Sequence, residues 1–217
     1  MVTPAPGDFL AELAHERLLA IMRGTDAEAV IRASLVLLES GVRFLEVSLV
    51  TTDAMRVISE VTNRAPKGSV IGAGTVMTRE DVARAADAGA RFMVSPAVTE
   101  SVAEAASRGI AVLAGALTPT EAVTAMRMGA TAVKLFPASF GGPGYLRALR
   151  DPLPWVPFVP VGGVDAALAA EYLAAGAMAV GVGSPLVGDT MREGNLEALR
   201  ARAGAFLAVA GASRGDS

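Results

Sequence analysis

Lys134 interrupts Ala130-Thr131-Ala132-Val133-Lys134-Leu135-Phe136, a run that otherwise has the make-up of a buried strand. Of the 19 basic residues only Lys67 and Lys134 are lysines, so arginine supplies charge almost everywhere else in this chain. Lys67, in Arg64-Ala65-Pro66-Lys67-Gly68, sits in turn chemistry and reads as a solvated charge. An ammonium inside a strand is costly unless it is paired or used. The use that separates lysine from arginine is nucleophilic attack. A guanidinium stays protonated, whereas a desolvated lysine amine can fall from about 10.4 toward roughly 7 to 8. A neutral amine can then add to a ketone and form a Schiff base.

Schiff-base chemistry also needs a group that moves protons through carbinolamine formation, dehydration and carbon–carbon cleavage. Glu46 lies in Phe44-Leu45-Glu46-Val47-Ser48, where alternation puts Phe44, Glu46 and Ser48 on one face. The matching face of the lysine strand carries Ala132, Lys134 and Phe136. If both faces point into one interior, a carboxylate meets an amine from a distant part of the chain. The competing reading is a structural salt bridge in which Glu46 only neutralises Lys134.

Two glycine pairs suggest a second kind of chemistry. Val161-Gly162-Gly163-Val164 and Gly181-Val182-Gly183-Ser184-Pro185-Leu186 each follow an apolar run. Glycines let backbone N–H groups approach an anion, and a short helix starting after Ser184 would add its positive end. A phosphorylated substrate is the expectation. Neither Gly72-Ala73-Gly74-Thr75-Val76-Met77 nor the Gly181 segment supplies the last glycine of a dinucleotide fingerprint, so nicotinamide binding is not expected. The single histidine, His15, falls in the expected N-terminal helix, and the chain has no cysteine. No metal site and no cofactor are therefore expected.

These residues need a scaffold, and eight short apolar runs provide one. They are Leu19 to Met22, Phe44 to Val47, Val70 to Ala73, Phe92 to Val94, Ala111 to Ala114, Ala132 to Phe136, Phe158 to Val161 and Ala179 to Val182. Between them lie segments of helical length and spacing, such as Ala27 to Ser40 and Thr99 to Arg108. Glycines 41, 89, 109, 129 and 176 stand where helices should end before the next strand. Thr25 with Glu28 and Thr118 with Glu121 fit capping boxes, and Pro119 falls at a first helical position. Strict alternation implies a parallel sheet. The expected fold is α/β, a single eight-stranded (β/α) TIM barrel with a short N-terminal helix; an open doubly wound sheet is the alternative. In a barrel the chemistry gathers at the C-terminal strand ends, where Arg23, Glu46, Thr75, Pro96, Lys134, Phe136, Gly162 and Gly183 all fall.

A chain of 217 residues, 52% hydrophobic and 19% charged, can bury one large core. Residues 1–217 read as one domain, with 1–7 and 211–217 as flexible ends. The tripeptide Arg214-Gly215-Asp216 lies in the second of these and carries no weight. No apolar stretch approaches the roughly 20 residues of a membrane span. A formal charge of -3 gives no basic field for nucleic acid. With no secretory signal in the first residues, cytoplasmic residence is the expectation.

The segments Ile21-Met22-Arg23-Gly24, Leu45-Glu46-Val47, Ile71-Gly72-Ala73-Gly74-Thr75, Val94-Ser95-Pro96, Val133-Lys134-Leu135-Phe136-Pro137, Val161-Gly162-Gly163 and Gly181-Val182-Gly183-Ser184 together resemble the 2-keto-3-deoxy-6-phosphogluconate aldolase family of class I aldolases. The resemblance implies that Lys134 is the Schiff-base lysine and Glu46 the general acid/base. It also implies that Thr75, Pro96 and Phe136 line the pyruvate end, and that Gly162, Gly163, Gly183 and Ser184 bind phosphate. The implied reaction is reversible cleavage to pyruvate and D-glyceraldehyde 3-phosphate, and the implied assembly is a homotrimer. Two positions depart from gluconate-type members. Val50 stands where they have an arginine for the substrate carboxylate, a role that falls to Arg23 here. Val161 stands where they have a threonine. Galactonate-type relatives resemble this chain at Val161, in Met22-Arg23-Gly24 and in Pro137-Ala138-Ser139. An apolar side chain cannot read a hydroxyl's configuration, so relaxed discrimination between the C4 epimers is expected. Activity on the galactonate epimer alone or on 4-hydroxy-2-oxoglutarate, an isomerase using the same phosphate cradle, and a non-catalytic phosphosugar-binding barrel are the competing readings.

Overall fold

The computed structural model describes residues 5–212. Eight strands run β1 Leu18–Met22, β2 Phe44–Ser48, β3 Val70–Gly74, β4 Phe92–Val94, β5 Ala111–Ala116, β6 Ala132–Leu135, β7 Phe158–Pro160 and β8 Val180–Val182. The helices are α1 Pro6–Glu16, α2 Ala27–Glu39, α3 Ala54–Arg64, α4 Arg79–Asp87, α5 Glu100–Ser107, α6 Pro119–Arg127, α7 Gly142–Arg150, α8 Ala166–Ala174, α9 Ser184–Val187, α10 Thr190–Glu193 and α11 Leu196–Ala212. All strand pairings are parallel and sequential, β1 also pairs with β8, and an isolated Val161–Gly181 bridge joins the last two strands. The sheet therefore curls into a nearly closed barrel, which rules out the open doubly wound alternative.

Alternation along each strand separates two apolar layers. Leu18, Ala20, Leu45, Val47, Ile71, Ala73, Val112, Ala114 and Val133 pack outward with the surrounding helices. Leu19, Phe44, Val70, Phe92, Ala111, Leu113, Ala132, Val159 and Val161 form a second cluster inside the barrel. Helix α1 closes the base of that interior with Phe9 and Leu13, both fully buried. The Phe9 ring meets Phe44 edge-on at 5.5 Å and lies tilted against Phe92 at 5.1 Å. Such aromatic pairs add about 0.5–1.5 kcal/mol each beyond area burial. Truncating Phe9 to alanine would cost about 3–5 kcal/mol by opening a cavity at the base. With one end plugged, only the other end can admit a ligand.

Local differences from the sequence reading have identifiable causes. The N-cap of α2 is Asp26, whose carboxylate accepts from the Ala29 N–H at 3.1 Å, so the Thr25–Glu28 box is not formed. The Thr118–Glu121 box does form, with Pro119 in the first turn, and Thr78–Asp81 forms another. Phe136 and Val161 lie just beyond β6 and β7, although the Phe136 N–H still bonds Ala116 O and the Val161 N–H still bonds Leu135 O. Pro6 and Gly7 belong to α1, and Gly211 and Ala212 to α11, rather than to loose ends. Residues 1–4 and 213–217, including the Arg214-Gly215-Asp216 tripeptide, lie outside the described residues. Among the described residues no helix is long and apolar enough to cross a membrane.

Candidate active site

A cavity of about 510 Å³ opens at the C-terminal ends of the strands. Every residue singled out from the sequence lines it: Arg23, Glu46, Thr75, Pro96, Lys134, Phe136, Gly162, Gly163, Gly183 and Ser184. Strand β2 delivers Glu46, which is 2% exposed, and β6 delivers Lys134, 7% exposed. Both belong to the inward face set by alternation, above the apolar layer that ends at Phe44 and Ala132.

Small residues on neighbouring strands keep this end of the barrel hollow. Lys134 is in register with Gly115 on β5, where a β-carbon would overlap the Pro96 carbonyl group. A β-carbon on Gly74 would overlap Glu46 Oε1. Glycine at these two places lets the Pro96 loop and the glutamate side chain occupy space that any other residue would take.

The charges in the cavity are not locked together. Burial pushes the Glu46 carboxyl above the usual carboxylate range, and the nearby Lys134 charge offsets only part of that rise. Glu46 Oε2 is buried without a hydrogen-bond partner, and no ion pair within 4.0 Å joins Glu46 to Lys134. The amine instead sits over the Phe136 ring, 5.1 Å from its centroid. A strut would bring carboxylate and ammonium into contact; here the two stay apart. A carboxyl that burial makes hold its proton more tightly is suited to donate that proton and later accept one back.

Thr75 follows β3 at φ 60°, a left-handed conformation costing on the order of 1–3 kcal/mol for a residue of this kind. Its Oγ1 lies 2.7 Å from Ser48 Oγ, on the same strand face as Glu46. At the end of the adjacent strand β4, Pro96 is fixed by a turn in which Ser95 Oγ donates to Ala97 O at 2.7 Å.

The glycine-rich edge is built on the loop after the lysine. Gly162 and Gly163 have φ of 106° and 74°, conformations open to glycine at no steric cost. The Ala138 N–H bonds Val161 O and the Ser139 N–H bonds Gly162 O, while Tyr172 Oη on α8 donates to Ala138 O at 2.7 Å. Gly183 and Ser184, at the end of β8 next to β7, line the same cavity, and the short helix α9 does begin at Ser184. Arg23 lines both the cavity and an adjoining groove of about 570 Å³, shared with Thr25, Val50 and Met191. Val50 is 62% exposed at this mouth, with no charge to offer.

Ser48, Ile21, Val187 and Met191 also line the cavity. Ser48 is on the Glu46 face that alternation identifies in the sequence, and alternation before Arg23 could have found Ile21. Met191 comes from α10, beyond the last strand, where no strand-end rule applies.

The family model for KDPG and KHG aldolase matches residues 10–202. A probable 2-dehydro-3-deoxy-6-phosphogalactonate aldolase of Rhizobium meliloti (strain 1021) is 42% identical over 197 residues, covering 88% of this chain and 90% of that protein. A 2-dehydro-3-deoxy-phosphogluconate aldolase of Dickeya dadantii (strain 3937) is 35% identical over 180 residues, covering 82% and 83%. Among solved structures, a KDPG aldolase from Legionella pneumophila with pyruvate captured as a covalent carbinolamine superposes with a TM-score of 0.83 at 28% identity, covering 96% of this chain and 99% of that one.

Proposed function

The chain belongs to the KDPG and KHG aldolase family, and on that premise we propose that it is a class I aldolase. In this reading it reversibly cleaves 2-keto-3-deoxy-6-phosphogluconate to pyruvate and D-glyceraldehyde 3-phosphate and accepts the C4 epimer as well. The observation that carries the reading is a buried strand lysine, Lys134, sharing a cavity with a buried glutamate that it does not contact as an ion pair.

The amine of Lys134 adds to the C2 ketone, and Glu46 in its acid form protonates the carbinolamine hydroxyl, which leaves as water. The resulting carboxylate takes the proton of the C4 hydroxyl as the C3–C4 bond breaks. The bonding electrons pass into the cationic imine, giving an enamine and the free aldehyde. Glu46 then gives its proton to C3, and water hydrolyses the cationic imine to release pyruvate and the amine, the proton set free in that step restoring the Glu46 acid. Phe136 offers an apolar wall beside the amine, and Arg23 takes the substrate carboxylate. The Gly162–Gly163 and Gly183–Ser184 edges receive the phosphate through backbone N–H groups and a hydroxyl.

Val161 favours a second weighting within the same chemistry. It lines the cavity with no hydrogen-bonding group, and the 42%-identical relative bears a galactonate-type name. The galactonate epimer as the better substrate is therefore the alternative reading. In keeping with the resemblance, we further propose a cytoplasmic homotrimer; sedimentation equilibrium of the full chain tests the stoichiometry. A lactate-dehydrogenase-coupled pyruvate assay with both epimers, comparing wild type with Lys134→Met, tests chemistry and specificity together. Turnover by wild type on both substrates and loss in the variant support the proposal; binding without turnover by wild type refutes it.

A further inference from the structure

We infer that Ser48 is a positioning residue: it donates its hydroxyl hydrogen bond to Thr75, so that the one remaining hydroxyl proton of the pair, on Thr75, is presented to the keto acid's carboxylate. This inference rests on the aldolase reading above. Ser48 is 4% exposed, stands two residues beyond Glu46 on the inward face of β2, and lines the cavity together with Thr75 and Lys134. The two hydroxyl oxygens are 2.7 Å apart.

The pair is not needed to hold its strands. Strands β2 and β3 are already joined over five register positions, from Phe44–Val70 to Ser48–Gly74, and the Leu49 N–H bonds Gly74 O at 2.8 Å beyond them. Thr75 keeps a branched side chain at φ 60°, where glycine would be relaxed, so its backbone conformation is tolerated for the sake of what the side chain does. Two hydroxyls bonded to each other share one proton and leave one free. With Ser48 as donor, the free proton is on Thr75. The permanent anion of a keto acid bound at Lys134 is the carboxylate one bond from the imine carbon. A hydroxyl whose acceptor side is already occupied is fixed in rotation, and a fixed donor to an anion is worth more than a freely turning one.

The test is the rate of Lys134 reduction by cyanoborohydride as a function of pyruvate concentration, which reads imine formation without the aldol step. Ser48→Ala is expected to raise the half-saturating pyruvate concentration roughly tenfold while changing the maximal trapping rate less than about threefold. Ser48→Thr, which retains the hydroxyl, is expected to stay within about threefold of wild type. In a Thr75→Val background the Ser48→Ala change is expected to add less than about twofold, because its effect passes through Thr75. Unchanged half-saturation in Ser48→Ala, a Ser48→Thr variant as weak as Ser48→Ala, or independent effects in the double variant overturns the inference and leaves the aldolase reading standing. Wild type that is not trapped at all overturns both.

Discussion

Gly74 and Glu46 occupy adjoining strands so closely that a β-carbon on the glycine would overlap Oε1 of the glutamate. The atom in the way is the far end of a flexible side chain, so Gly74→Ala is expected to turn the carboxylate aside and leave the barrel folded. Losing a placed acid/base group costs about 10²–10⁴-fold, and displacing it is expected to cost about the lower figure in kcat. Steady-state kinetics alongside circular dichroism check this; full activity in a folded variant would show that the carboxylate's placement is immaterial.

Burial raises the Glu46 carboxyl above its unfolded value, so the folded chain binds that proton more tightly than the unfolded chain. The associated stability is fully present below the unfolded value of about 4.3 and is lost as pH rises through the higher folded value. Glu46→Gln removes this loss. Its Tm is expected to exceed that of wild type at pH 8. The difference should shrink to nothing below about pH 4. Thermal melts across that range decide; a Glu46→Gln protein less stable at pH 8 contradicts the direction.

Val161 is buried at the cavity wall and has no donor or acceptor for a sugar hydroxyl. Wild type is expected to show kcat/KM values for the two C4 epimers within about tenfold of each other. Val161→Thr is expected to separate them by a further factor of about ten, the scale of a single hydroxyl contact. A wild-type preference of several hundredfold for the gluconate epimer runs against the proposal.

Tyr172 reaches from α8 to Ala138 O, behind the loop that carries Phe136 and supports Gly162. Tyr172→Phe removes one of the two hydrogen bonds that Ala138 O accepts, the other coming from the Gly141 N–H, a change costing about 0.5–1.5 kcal/mol. Its Tm is expected to fall, and KM for the phosphorylated substrate to rise more than pyruvate half-saturation in imine trapping. Equal changes in both would place the loop's influence on the lysine instead.

The barrel was legible because unit after unit pairs an apolar run with a helix, several helices starting at a capping side chain and five ending at a glycine. The site residues were legible because polar side chains stand at strand ends where an uninterrupted core would place apolar ones. What escaped depends on competing local chemistry or on conformation. Asp26 out-competes Thr25 as a cap because its carboxylate reaches the Ala29 N–H, and both residues fit the pattern on paper. The Ser48–Thr75 contact needs a left-handed threonine, the reverse of what its residue type favours. Met191 reaches the cavity from α10, a four-residue helix with no strand to register it.

The account turns on Lys134 as the amine that bonds to substrate. Wild type incubated with pyruvate and borohydride, digested and mapped by mass spectrometry, is expected to carry one reduced pyruvate on the peptide containing Lys134 and to lose activity in step with labelling. Lys134→Arg is expected to stay unlabelled. Adduct on Lys67 instead, or full activity after borohydride with no adduct at Lys134, would contradict the claim that this lysine is the nucleophile.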